Sequence, residues 1–168
     1  RNSWHVVLGG NNMMNESRRI TKIKMNGVSV QIQWEELAMD QSWAKFGMKN
    51  TDMARPEMFT AMNALATDVI DLCELPTIWK KQIEVRGVSI TYTEKTWGIT
   101  ISAIKRLDKS KKSLVLNTPY TSVDGCDNME LLLSANAIEH IERLTDEAQR
   151  YIDGDRAQMK LFDGKQGA

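Results

Sequence analysis

Cysteine, histidine and proline are scarce in this chain, at two, two and three in 168 residues. Two cysteines, Cys73 and Cys126, cannot build a disulfide framework. With no export signal they read as reduced thiols of a cytosolic protein. Two histidines and no Cys-x-x-Cys leave no ligand set at metal spacing, and no cofactor is expected. Asp124-Gly125-Cys126-Asp127 reads as a turn rather than a ligand set. No Gly-rich phosphate loop follows a strand, and no Gly-x-Ser-x-Gly elbow occurs. Long apolar runs are also missing. Nothing approaches the ~20 residues that cross a bilayer, and Trp4-His5-Val6-Val7-Leu8 is too short for a signal-peptide core. Net charge is absent as well, with 22 Lys+Arg against 22 Asp+Glu, which argues against a strongly electrostatic nucleic-acid binder.

What is present fits one domain with a real core. The charge is neutral only on average. Residues 80–112 hold nine Lys/Arg and three Asp/Glu, and residues 124–163 hold four and ten. The two segments either neutralise each other in the fold or leave a basic surface for nucleic acid or phosphate. Residues 1–17 read as a leader, disordered or carried over from upstream, with Met13 or Met14 as the native start. Residues 18–154 read as a single domain, and 155–168 as a flexible C-terminal tail.

Thr21 to Trp34 has the period of a β-hairpin turning at Asn26-Gly27. Glu35 to Phe46 reads as a short helix or an irregular crossing. Trp43, Phe46 and Met48 then form an apolar loop that either plugs a sheet end or closes over a ligand. Pro56 opens a helix with Met58, Met62, Leu65, Val69 and Leu72 on one face, ending near Leu75 before Pro76. Residues 83–92 repeat the grammar of residues 23–32, with Arg86-Gly87 in place of Asn26-Gly27. That is either an internal duplication or two hairpins obeying one turn chemistry. Gly98 to Leu107 and Leu114 to Leu116 are strands joined by a Lys-rich turn, and Thr121 to Asn128 is a loop. Ser134 caps a last helix that ends at Gly154. The order is ββα-ββββ-α. The fold class is α+β, an antiparallel sheet of about five to six strands with two amphipathic helices on one face.

Few residues carry chemistry. His140 sits at the edge of the last helix's apolar stripe, and Glu35-Glu36 follow Trp34. Neither has a partner in sequence, and the chain is expected not to be an enzyme. The better binding candidate is the basic hairpin of Lys105, Arg106, Lys109, Lys111 and Lys112, with Ser110 and Ser113 able to assist at a phosphate. Trp43, Phe46 and Trp97 are the aromatics that could lid a ligand, with Trp97 and Tyr92 near the basic segment.

The tail reads Gln158-Met159-Lys160-Leu161-Phe162. A Leu-Phe pair beyond the last helix is costly unless something receives it. The pentapeptide resembles the bacterial sliding-clamp-binding motif: Gln158 the polar anchor, Met159 the second-position aliphatic, Leu161 and Phe162 the pair that fills the clamp's apolar pocket. Lys160 departs from the acidic or small residue usual there. The alternative is that Leu161 and Phe162 fold back as a clasp. The run Gly98 to Pro119 and the ending Ile152 to Gln158 resemble small uncharacterised proteins of bacteriophages and prophages of Gram-positive bacteria.

Together these imply a non-enzymatic phage or prophage accessory protein of DNA replication or recombination in the host cytoplasm. The tail would recruit it to the host sliding clamp, and the hairpin would touch DNA. The rival is a host-defence inhibitor that sequesters a nucleotide-like signal or binds a host protein. No membrane partner is expected, and self-association is left open.

Overall fold

The computed structural model describes residues 17–157. Strands Arg18–Asn26 (β1) and Ser29–Leu37 (β2) form the expected hairpin, but its turn is Gly27-Val28 rather than Asn26-Gly27: Asn26 pairs with Ser29, and of the three only Gly27, at φ +58°, takes a positive φ. The chain continues through Trp43–Asn50 (β3), helices Pro56–Ala64 (α1) and Ala66–Leu72 (α2), and a 3₁₀ segment Thr77–Gln82. Strands Ile83–Tyr92 (β4), Trp97–Arg106 (β5), Ser113–Asn117 (β6) and Thr121–Ser122 (β7) follow, and Ala135–Ile152 (α3) is the last helix. All strand pairs are antiparallel. The sheet order is β3-β2-β1-β4-β5-β6, with β7 beside β5. The fold is α+β, as the sequence implies.

Period-two alternation sends Ile23, Ile32, Val88, Ile90, Ile99 and Ile101 to one face, where they are buried. Met58, Leu65 and Val69 from α1, α2 and the residue between them, with Ile141, Leu144 and Ala148 from α3, close that core. The helices therefore cover one face and leave the other open. The α3 ends behave as their residues dictate. Ser134 Oγ accepts the Ala137 N–H at 3.1 Å. Gly154 takes φ +94°, and the Asp155 N–H returns to the Arg150 carbonyl at 2.9 Å.

Three further expectations are corrected. The Glu35–Phe46 stretch is neither helix nor crossing, because β2 runs on to Leu37 and Trp43 begins a third strand paired along β2. The helix after Pro56 is two short helices hinged at Leu65, and Glu74 at φ +53° ends the second before Leu75. Arg86-Gly87 is not a turn, because β4 passes straight through it with a bulge between Val85 and Gly87. A Cβ on Gly87 would meet the Ile23 carbonyl oxygen at 2.8 Å, so this glycine serves the close approach of β1. The resemblance of residues 83–92 to 23–32 therefore does not extend to a second hairpin.

The chain after Gly154 is held as far as it is described. The Ala157 N–H donates to the Met53 carbonyl at 2.9 Å, Asp155 pairs with Arg55 at 3.0 Å, and Arg156 pairs with Asp52. Gln158, Met159, Leu161 and Phe162 lie outside the described residues.

Candidate nucleic-acid interface

The open face of the sheet is assembled by register. Lys22 and Lys24 of β1 lie opposite Gln33 and Gln31 of β2 on one side and Ser89 and Gly87 of β4 on the other. Ser89 and Gly87 in turn lie opposite Thr100 and Ser102 of β5, and Ser102 opposite Asn117 of β6. These side chains surround a groove of about 230 Å³ that includes Lys22, Lys24, Arg86, Ser89, Thr100, Ser102 and Asn117. Among the described residues, no carboxylate lines it. The β4 bulge sets Arg86 beside it, where its Nη1 donates to Asn26 Oδ1 at 2.8 Å and its Nη2 stands 3.5 Å from Glu84. Among the described residues, the ammoniums of Lys22 and Lys24 and the hydroxyls of Ser89, Thr100 and Ser102 have no partner. The groove thus combines positive charge, unoccupied hydroxyl donors and a floor that Gly87 keeps low. That combination suits phosphate oxygens.

Cations extend the face both ways. Lys45 and Lys49 lie opposite Glu35 and Gln31 on β3, and Arg106 follows Ser102 and Ile104 along β5. The only carboxylate among the β2 residues of this face, Glu35, is already ion-paired to Arg19 Nε at 2.7 Å. Tyr120 adds a half-exposed ring across Gly98, whose missing Cβ would sit 2.5 Å from the ring. It is next to Thr100 in the β5 row and offers a base a stacking surface.

The basic hairpin divides in two. Arg106, Lys109, Lys111 and Lys112 are exposed around the β5–β6 turn, where Lys111 takes φ +59°. Ser110 Oγ accepts the Lys112 N–H at 3.3 Å, and Ser113 is exposed. Lys105 does not join them. It belongs to the helix-side row of β5, is 7% exposed, and places Nζ 4.3 Å from the centre of the Trp79 ring. Alternation along β5 forces this, since Lys105 and Arg106 point to opposite faces.

The aromatics named as a lid do not converge. Trp43 lies on the open face with the Arg19 guanidinium 3.9 Å from its ring, and Arg19 also covers Tyr92 at 4.9 Å. Burial beside this stack pushes the Tyr92 hydroxyl far above its ordinary value, and it donates to the Ile20 carbonyl at 2.8 Å. Phe46 is on the helix side, stacked on Trp34 at 5.9 Å. Trp97 packs against the core from the start of β5. Pairing β3 along β2 is what separates Trp43 from Phe46.

The acid–base candidates are also apart. Glu36 accepts from Arg18 Nε at 3.1 Å and Trp34 Nε1 at 3.0 Å, on the face opposite Glu35. His140 has a partner that the sequence did not suggest, the buried Asp68 of α2, with Nδ1 to Oδ2 at 2.8 Å. His140 borders a cleft of about 340 Å³ between α1 and α3, lined also by Thr60, Arg143, Asp146 and Glu147. Among the described residues the cleft holds no cysteine or serine, and Thr60, its only hydroxyl, donates to the Pro56 carbonyl at 3.1 Å. The Asp–His pair therefore orients a base with no nucleophile beside it.

Sequence reasoning missed Lys22, Lys24, Arg86 and Asn117 as a group. They come from β1, β4 and β6, and only the β1–β4 pairing, with β5 between β4 and β6, joins them. Comparison with protein-family models, with curated proteins and with solved structures returns no match for this chain.

Proposed function

We propose that this chain is a non-enzymatic nucleic-acid-binding accessory protein, acting in DNA replication or recombination in a phage or prophage setting. The observation that carries the binding role is the open sheet face. It bears a groove of three cations and several free hydroxyl and amide groups, without a lining carboxylate, continuous along β5 with the exposed lysines of the β5–β6 turn. From Ser102 to Arg106 this track runs about 13 Å. Backbone phosphates would lie along it, with Tyr120 available to a base. The phage setting and the clamp contact rest on sequence resemblance. In that reading Gln158, Met159, Leu161 and Phe162 would hand the domain to a bacterial sliding clamp.

Fluorescence anisotropy with labelled single-stranded and duplex oligonucleotides tests the binding role. Binding should weaken steeply with salt. The double variant Lys22→Glu/Lys24→Glu should lose at least about tenfold in affinity while unfolding at the same temperature. Absence of binding by the intact chain at low salt would end this reading. A pull-down with a sliding clamp, comparing the intact chain with one ending at Ala157, tests recruitment separately.

A second reading is sequestration of a nucleotide-like signal, favoured by the discrete size of the groove. It predicts a thermal shift with mononucleotides or cyclic nucleotides and none with long oligonucleotides.

A further inference from the structure

We propose that two copies of this chain pair edge to edge through β6, forming one continuous sheet whose nucleic-acid face is completed across the two-fold axis. β6 is one end of the sheet, and no described residue bonds to its outer side. The direction of its free groups follows from the ladder. Leu107 N–H donates to Lys112 O at 2.8 Å and Thr118 N–H to Ile101 O at 2.9 Å, so the even positions bond inward to β5. The N–H and C=O groups of Ser113, Val115 and Asn117 therefore point outward.

The two free edges of the sheet are built differently. β3 carries Lys45 and Lys49, with Gly47 between them, the usual defence of an edge strand. β6 reads Ser-Leu-Val-Leu-Asn, without a charge, and Leu114 and Val115 are 45% and 63% exposed. The strand is also symmetric about its centre. In an antiparallel pair centred on Val115, Leu114 of one copy meets Leu116 of the other, and Ser113 meets Asn117. Every outward donor then faces an outward acceptor, as an isologous interface requires. Charge agrees with this register. Lys112 of each copy faces Thr118 of the other, so the two Lys112 residues stand about 20 Å apart along the strands and the rest of each lysine-rich turn farther still. Parallel pairing would place them side by side.

Pairing also changes the site. Asn117 borders the groove, and in this register Ser113 and then Arg106 of the second copy continue its row on the open face. Each groove gains a cation from the other subunit.

Light scattering after size exclusion tests the pairing without nucleic acid, so its outcome is independent of the binding role. The intact chain, 19.1 kDa per copy, should elute as a dimer. Val115→Lys places a charge at an exposed side chain on the axis, and Val115→Pro removes an N–H that β5 does not use. Both should give monomers with unchanged far-UV circular dichroism. A monomeric intact chain at roughly 0.2 mM, or a dimer that persists in both variants, would overturn the proposal.

Discussion

His140 Nδ1 lies 2.8 Å from Asp68 Oδ2, and the carboxylate it reaches is 3% exposed. When Asp68 is ionised it only accepts, so Nδ1 then carries the proton and donates. The bond ties α2 to α3 across the top of the core. Burial is the main influence on Asp68. It raises the carboxyl above its ordinary 3.8, against the opposing pull of His140. The folded protein thus holds this proton more tightly than the unfolded chain. The resulting stability is fully present below pH 3.8 and is lost as pH rises through the elevated value. Asp68→Asn keeps an acceptor for Nδ1 and has nothing to titrate. Urea unfolding from below pH 3.8 upward should show the parent losing ground against Asp68→Asn once pH rises past 3.8. An equal pH dependence in both would refute this.

Gly87→Ala should destabilise by about 1–3 kcal/mol, because its Cβ would press the Ile23 carbonyl at 2.8 Å and push β1 from β4. Gly27→Asn, at φ +58° with open space around it, should cost no more than about 1 kcal/mol. Thermal unfolding of the two variants gives the order. The reverse order would mean that the β1–β4 seam can yield.

Lys105→Ala should leave nucleic-acid affinity unchanged while lowering stability by about 1 kcal/mol, since the ammonium spends its charge on the Trp79 ring. Lys109→Ala, at the exposed turn, should do the opposite. Anisotropy and denaturation on the same two variants separate the roles, and a loss of affinity in Lys105→Ala would show that this side chain leaves Trp79 to bind.

Thr118→Val should cost about 1–3 kcal/mol. The Thr118 hydroxyl, 4% exposed with its residue, accepts the Ile101 N–H at 2.8 Å, at the point where β6 leaves the ladder. Valine keeps the shape and orphans that N–H. Amide exchange at Ile101 should quicken in the variant, and unaltered protection would indicate that water takes the place of the hydroxyl.

The legible parts of the sequence are those decided locally. The hairpin after β1 needs one positive-φ position, supplied by Gly27, and Ser134 and Gly154 end α3 by bonds to their own helix. β3 alternates Ala44, Phe46 and Met48 against Lys45, Gly47 and Lys49, but Trp43 at its start falls in the polar row and hides the period, and the lysines suit an edge. Arg86-Gly87 has the same local chemistry as Asn26-Gly27. Only the carbonyl of Ile23, more than sixty positions earlier, makes it a strand. The same distance hid the groove. Lys22 and Lys24 look like an ordinary solvated alternation until β4 is laid beside β1. The Asp68–His140 bond likewise joins residues 72 positions apart and leaves no spacing signal.

The bond from Ala157 to Met53 fixes where the rest of the chain departs. Gln158 is the very next residue, and five residues at full stretch reach only about 18 Å. A clamp engaging Gln158 to Phe162 could not hold this domain at arm's length. In the proposed contact its rim would abut the Asp52–Arg55 corner, where Arg55 meets Asp155 and Glu147. If the open sheet face binds DNA as proposed, so short a tether limits the orientations in which a clamp, this protein and a shared duplex can be assembled.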